Sequence, residues 1–283
     1  ATINISPQPN AGTDGTLSIC DSSTTAIDLF SLISGEQSGG TWSQTSGSGG
    51  TFDAVLGTFT PAVGATSSSF TYTLPGTAPC SNVTSLATIN ISPESNAGLD
   101  GVINVCSSTA SAIHLDDIIT GEQTGGVWNQ TSGLGGTFNP MAGIFTPSVG
   151  STSATFTYTV PGVFPCPDDV SIATVNVSAP VNAGTDGNTS ICDSSTTAID
   201  LFSLISGEQS GGTWSQTSGS GGTFDAVLGT FTPAVGATSS TFTYTLAGTA
   251  PCVSATSLAT INISPQPNAG TDGTLSICDS STT

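Results

Sequence analysis

The chain has 283 residues, no Lys or Arg, and 19 Asp and Glu, giving a formal net charge of −19. Nucleic acid is excluded as a partner, because neutralising phosphates takes cations the chain lacks; attraction to an anionic membrane surface fails for the same reason. No apolar run approaches the length of a membrane-spanning helix, so direct membrane insertion is not expected.

Internal repetition sets the organisation. Trp42, Trp128 and Trp214 follow one another at 86 residues, as do Cys20, Cys106, Cys192 and Cys278, and Cys80, Cys166 and Cys252. GEQSGGTWSQTSGSGGTF at 35–52 returns as GEQTGGVWNQTSGLGGTF at 121–138, then unchanged at 207–224. The register predicts the last strand of a preceding repeat at 1–6, repeats at 7–92, 93–178 and 179–264, and the start of another at 265–283. The chain thus reads as a window on a longer array.

Within a repeat, short alternating segments predict half-buried strands. ATINIS opens the chain, with Ile3 and Ile5 facing inward. The SPQPNAGTDG segment at 6–15 is the expected joint, a semi-rigid linker ending in an Asp14–Gly15 turn. GTLSIC (15–20) buries Leu17 and Ile19 and leaves Cys20 on the opposite parity. IDLFSLI (27–33) fits a buried strand or a helical turn. GGTWSQ (39–44) and GTFTP (57–61) supply short strands opened by Gly. In SFTYTL (69–74), Phe70, Tyr72 and Leu74 share one face. Six or seven such strands per repeat predict an all-β fold, tandem Ig-like β-sandwiches in an extended rod.

Two cysteines recur in each full repeat. Their spacing predicts one intradomain disulfide each, Cys20–Cys80, Cys106–Cys166 and Cys192–Cys252, with Cys278 unpaired. Closing a loop of about 60 residues stabilises by roughly 4 kcal/mol in the chain-entropy model. Lys–Asn isopeptide locks are impossible without lysine. The parity of Cys20, and the position of Cys80 in an Ala78–Pro79 loop, put the staple at a strand end near one pole.

Chemistry is sparse. His114 is the only histidine; it stands where repeats one and three have Asp28 and Asp200, and reads as a surface substitution. No GxSxG occurs, and general acid–base sites rarely dispense with His, Lys and Arg altogether, so no catalytic residue is assigned. Asp116–Asp117 and Asp168–Asp169 are carboxylate pairs peculiar to repeat two. No cofactor is assigned, but calcium at the joints is a candidate, with Asp14, Asp100 and Asp186 as ligands; the bland alternative is turn residues and solvated acids. Trp42, Trp128 and Trp214 read as core side chains, with glycan stacking beside the Gly pairs as the alternative.

The phrases NAGTDGTLSICDSSTTAIDLFSLISGEQSGGTW and GTFTPAVGATSSSFTYTL, with APC, resemble repeats of giant Bacteroidota cell-surface proteins of the SprB-type gliding-motility adhesin group. That resemblance implies type IX secretion and an extracellular, outer-membrane-attached filament serving gliding or attachment. The expected function is a non-catalytic stalk. A multivalent array with a weak carbohydrate site per repeat is the alternative. Expected partners are the neighbouring repeats, then surface polysaccharide or other filament subunits.

Overall fold

The structure is a computed structural model that describes residues 3, 5–108 and 111–276. They form two compact units. The first comprises 1–103, 111–147 and 152–176; the second comprises 104–110, 148–151 and 177–283.

The first repeat contains β1 (Gly15–Cys20), β2 (Ile27–Asp28), β3 (Thr41–Ser46), β4 (Gly50–Asp53), β5 (Thr58–Pro61), β6 (Ser68–Leu74) and β7 (Val83–Ser92). A four-stranded sheet of order β1-β7-β6-β3 and a three-stranded sheet of order β2-β5-β4 share one core. This is an Ig-like β-sandwich. β6 shows why these residues make strands: Ser68, Phe70, Tyr72 and Leu74 are buried while the intervening residues are half-buried, the period-2 alternation of a pleated surface. The Phe70 ring lies 5.0 Å from Phe52 and 4.9 Å from Phe59, joining the two sheets. Every pairing in these sheets is antiparallel except β1 with β7, which runs parallel from Gly15↔Ala87 to Cys20↔Ser92.

The second repeat has β8 (Gly101–Cys106), β9 (Ile113–His114), β10 (Val127–Ser132), β11 (Thr137–Asn139), β12 (Ile144–Thr146), β13 (Ala154–Val160) and β14 (Asp169–Ser178). Its sheets are ordered β10-β13-β14-β8 and β11-β12-β9. The third has β15 (Gly187–Cys192), β16 (Ile199–Asp200), β17 (Thr213–Ser218), β18 (Gly222–Asp225), β19 (Thr230–Pro233), β20 (Ser240–Leu246) and β21 (Ala255–Ser264), ordered β15-β21-β20-β17 and β16-β19-β18.

Both readings of IDLFSLI hold in part. Ile27 and Asp28 pair with β5, and Leu29–Ser31 then form one 3₁₀ turn. The Asp28 carboxylate caps that turn by accepting from Phe30 N at 3.0 Å. His114, its counterpart, is exposed and makes no such cap.

Two expectations need correction. Ile3 and Ile5 are 84% and 89% exposed, and the described residues before β1 join no sheet. The same words at 87–92 are the second half of ten-residue β7, where Ile89 is fully buried. The 6–15 segment is also less of a linker than its prolines suggest. Asn10 bonds to Gly35 O and Gln37, Thr13 bridges Ser34, and Ala11 is buried in the core with its carbonyl accepting from Ser85 Oγ at 2.6 Å. Asn-Ala-Gly therefore belongs to the sandwich that follows it.

Glycine beside tryptophan has a packing reason. A Cβ on Gly40 would meet the Tyr72 ring at 2.4 Å. Its absence lets Gly40 N donate to Tyr72 Oη at 2.8 Å, while that hydroxyl donates to Gln37 O at 2.8 Å. Tyr72→Phe is expected to cost about 1–3 kcal/mol by leaving both backbone groups without their partner. Amide exchange at Gly40 faster than in the parent checks it.

Candidate functional site: a staple between repeats

Cys20 ends β1, and the parallel register places it beside Ser92, the last residue of β7. Cys80 lies three residues before Val83, where β7 begins. The two thus sit at opposite ends of a ten-residue strand, about 30 Å apart at ~3.3 Å per residue. A disulfide needs Cα atoms within roughly 4.4–6.8 Å. Cys20–Cys80 cannot form.

The bond instead crosses to the next repeat. Cys20 is joined to Cys166, with Cα atoms 4.9 Å apart, and Cys106 to Cys252 at the same separation. The intradomain pairings Cys20–Cys80, Cys106–Cys166 and Cys192–Cys252 are therefore corrected. Among the described residues Cys80 and Cys192, both half-buried, have no disulfide partner, and Cys278 lies outside the described residues.

The loop between β13 and β14 makes the crossing possible. It carries the cis peptide Phe164–Pro165 immediately before Cys166. Ser92 Oγ donates to Phe164 O at 3.1 Å, and Cys166 Sγ lies 3.3 Å from Ser92 O. Asp21 locks the same corner, its N–H donating to Ser92 O at 3.0 Å and its Oδ1 accepting from Glu94 N at 3.1 Å. Only Pro93, Glu94 and Ser95 then separate β7 from Asn96, which bonds to Gly121 O and Gln123. The seat recurs in the second unit, where Cys252 Sγ lies 3.4 Å from Ser178 O. There Ser107 stands in the place of Asp21; its N–H donates to Ser178 O at 3.0 Å, while its buried hydroxyl has no partner. Cys80 is seated likewise, its thiol donating to Ser6 O at 3.8 Å.

In the sequence Asp21 counted only among the recurring acids weighed for calcium, and its backbone role at this corner was missed. Its signal was the Cys-Asp pair at 20–21 and 192–193, an acid following the staple cysteine directly. Asp193 repeats the arrangement, accepting from Gln266 N at 3.1 Å.

The calcium candidates have a backbone role. Asp14 Oδ1 accepts from Leu86 N, Asp100 Oδ1 from Ile172 N and Asp186 Oδ1 from Leu258 N, each at 2.8 Å. Each carboxylate supplies the rung before the parallel ladder begins, and none lies at the stapled end. Among the described residues, no three His, Cys, Asp or Glu side chains gather as a metal site. The three tryptophans are 5% exposed each. They are core side chains, ring to ring with Tyr72, Tyr158 and Tyr244, and lack the exposed face that glycan stacking requires.

No protein-family model and no curated protein matches the chain. Solved structures do. A titin I-band fragment, I67–I69, is 11% identical, covering 89% of this chain and 97% of its own, with TM-score 0.41. Drosophila OTK extracellular domains 3–5 are 9% identical over 91% and 97%, with TM-score 0.35. Sidekick-1 immunoglobulin domains 1–4 are 10% identical over 89% and 74%, with TM-score 0.32.

Proposed function

We propose that this chain is the stalk of a large secreted adhesin, an array whose repeats set length and transmit tension. The observation that carries the reading is the Cys20–Cys166 bond. A disulfide inside a domain would protect that domain alone. One that joins consecutive repeats makes the junction covalent at two points, the linker and the staple, and limits bending there. Disulfides at this density also fit an oxidising, extracellular compartment. The resemblance to SprB-type repeats extends the reading to a Bacteroidota surface filament exported by type IX secretion and used for gliding or attachment. On this reading the repeats are non-catalytic and their first partners are one another. A net charge of −19 without a single Lys or Arg keeps neighbouring stalks apart by repulsion. Immunogold labelling of intact source cells tests it: label along surface fibres is expected, and label confined to the cell interior would sink it.

A further inference from the structure

Residues 259–283 repeat residues 1–25 letter for letter, and the two copies of this phrase are seated in complementary halves. In the first, Ala11 is buried and β1 packs Leu17 and Ile19 against the core, while Ile3 and Ile5 before them are exposed. In the second, 259–264 close β21, with Ile261 fully buried, while residues 265–276 are exposed and in no strand. Leu275, the counterpart of Leu17, is 88% exposed. The serine of the phrase divides likewise. Ser92 stands beside Cys20 in the parallel register and also seats Cys166, whose Sγ lies 3.3 Å from its carbonyl oxygen. Ser264 does the first alone: it stands beside Cys192, and its carbonyl accepts from Asp193 N at 3.0 Å. Ser6 does the second alone: its carbonyl accepts from the Cys80 thiol at 3.8 Å, and its hydroxyl donates to Ala78 O at 3.4 Å. Cys192 and Cys80 thus hold the two halves of the seat that joins Cys20 to Cys166, and neither has a disulfide partner among the described residues.

We propose that copies of this chain join head to tail by strand exchange, each junction closed by a disulfide between Cys192 of one copy and Cys80 of the other. Residues 265–283 of the first copy take the place of residues 7–25 of the second, and GTLSIC at 273–278 pairs with β7 there as β1 did. β21 then runs into that sandwich as β7 runs into the next repeat, and one serine, Ser264, serves both half-seats. Identical segments make identical contacts, so the exchange alone gains nothing. It competes with the second copy's own segment, whose effective concentration is on the order of millimolar, so micromolar chains stay apart without a further bond. Cys278, outside the described residues, replaces Cys20 on Cys166, one disulfide for one; Cys80–Cys192 is the bond gained. It forms when the two thiols pass two electrons and two protons to oxidised glutathione, whose S–S bond opens to two thiols. A head-to-tail contact that does not close on itself propagates as a fibre. The inference rests on the stalk reading and carries it from repeats within a chain to chains in a row.

The test refolds the whole reduced chain in a glutathione redox buffer, at micromolar and at submillimolar concentration, and reads size by non-reducing electrophoresis. At the higher concentration a ladder of covalent oligomers is expected, with Cys80 linked to Cys192 and Cys278 to Cys166 on fragment mapping. At the lower, the monomer with both thiols intact should dominate. Cys80→Ser and Cys192→Ser should each stay monomeric alone; mixed before refolding, they should stop at dimers, since only one junction can close. Both variants keep Cys20–Cys166 and Cys106–Cys252, so the fold is not at stake. No oligomer from the parent, oligomers from either variant alone, a ladder from the mixture, or oligomers in which Cys20 keeps Cys166 would each overturn the exchange. Those outcomes leave the stalk reading standing, which the surface labelling tests separately.

Discussion

Serine at position 20 is expected to destabilise the protein by about 2–5 kcal/mol, and serine at position 80 by less than about 0.5 kcal/mol. The contrast follows from the pairing. Cys20 closes a loop with a sequence separation of 146, worth about 5 kcal/mol in the chain-entropy model. That figure is an upper bound, since the residues inside the loop fold locally and are already restrained. Cys80 has no disulfide partner among the described residues, and its hydroxyl analogue fits the same seat. An intradomain Cys20–Cys80 bond would make the two substitutions equivalent. Denaturant unfolding of both variants under oxidising conditions separates the alternatives, and added reductant should lower the parent by more than Cys20→Ser does, because it opens Cys106–Cys252 as well.

Phe242→Ala is expected to cost about 3–5 kcal/mol, confined to the third repeat. Phe242 is fully buried in β20, with Phe231 at 4.9 Å and Phe224 at 5.1 Å, so its ring joins the two sheets. Truncation leaves a cavity bounded by strands of both sheets, which the rigid ladder β17-β20-β21 cannot collapse to fill. In a linear array, stability is the sum of each repeat's own and that of its interfaces with neighbours. Hydrogen exchange should therefore accelerate in β20 and β21 while β6 and β7 stay protected. Loss of protection throughout the chain would contradict that locality.

Most of the sandwich was legible. SFTYTL fixes β6 by alternation alone, and GTLSIC matches β1 residue for residue. The parity of Cys20 correctly moved the staple from the core to a strand end. The partner was not legible, because separations of 60 and 146 differ by one period of 86, and both satisfy the repeat equally well. What decides is the length and direction of β7. Reading ATINIS as a six-residue strand hid the four residues before it, Val83–Leu86, which carry β7 back to the opposite pole. The parallel pairing of β1 with β7 joins the first and last strands of a repeat and leaves no local trace in sequence. In repeat two the Asp116–Asp117 pair stood out as acidic, yet what Asp116 does, accepting from Trp128 Nε1 at 2.9 Å where Phe30 packs against Trp42 in repeat one, is a contact between residues twelve positions apart.

The central claim is that the covalent lock lies between repeats, and disulfide mapping of the unreduced protein tests it most directly. Trypsin has no site in a chain without Lys or Arg, so cleavage at Asp and Glu is the route. Free thiols are alkylated first, and linked fragments are then read by mass spectrometry. The account predicts fragments joining Cys20 to Cys166 and Cys106 to Cys252, with Cys80 and Cys192 recovered alkylated. Fragments joining Cys20 to Cys80 and Cys106 to Cys166 would contradict it.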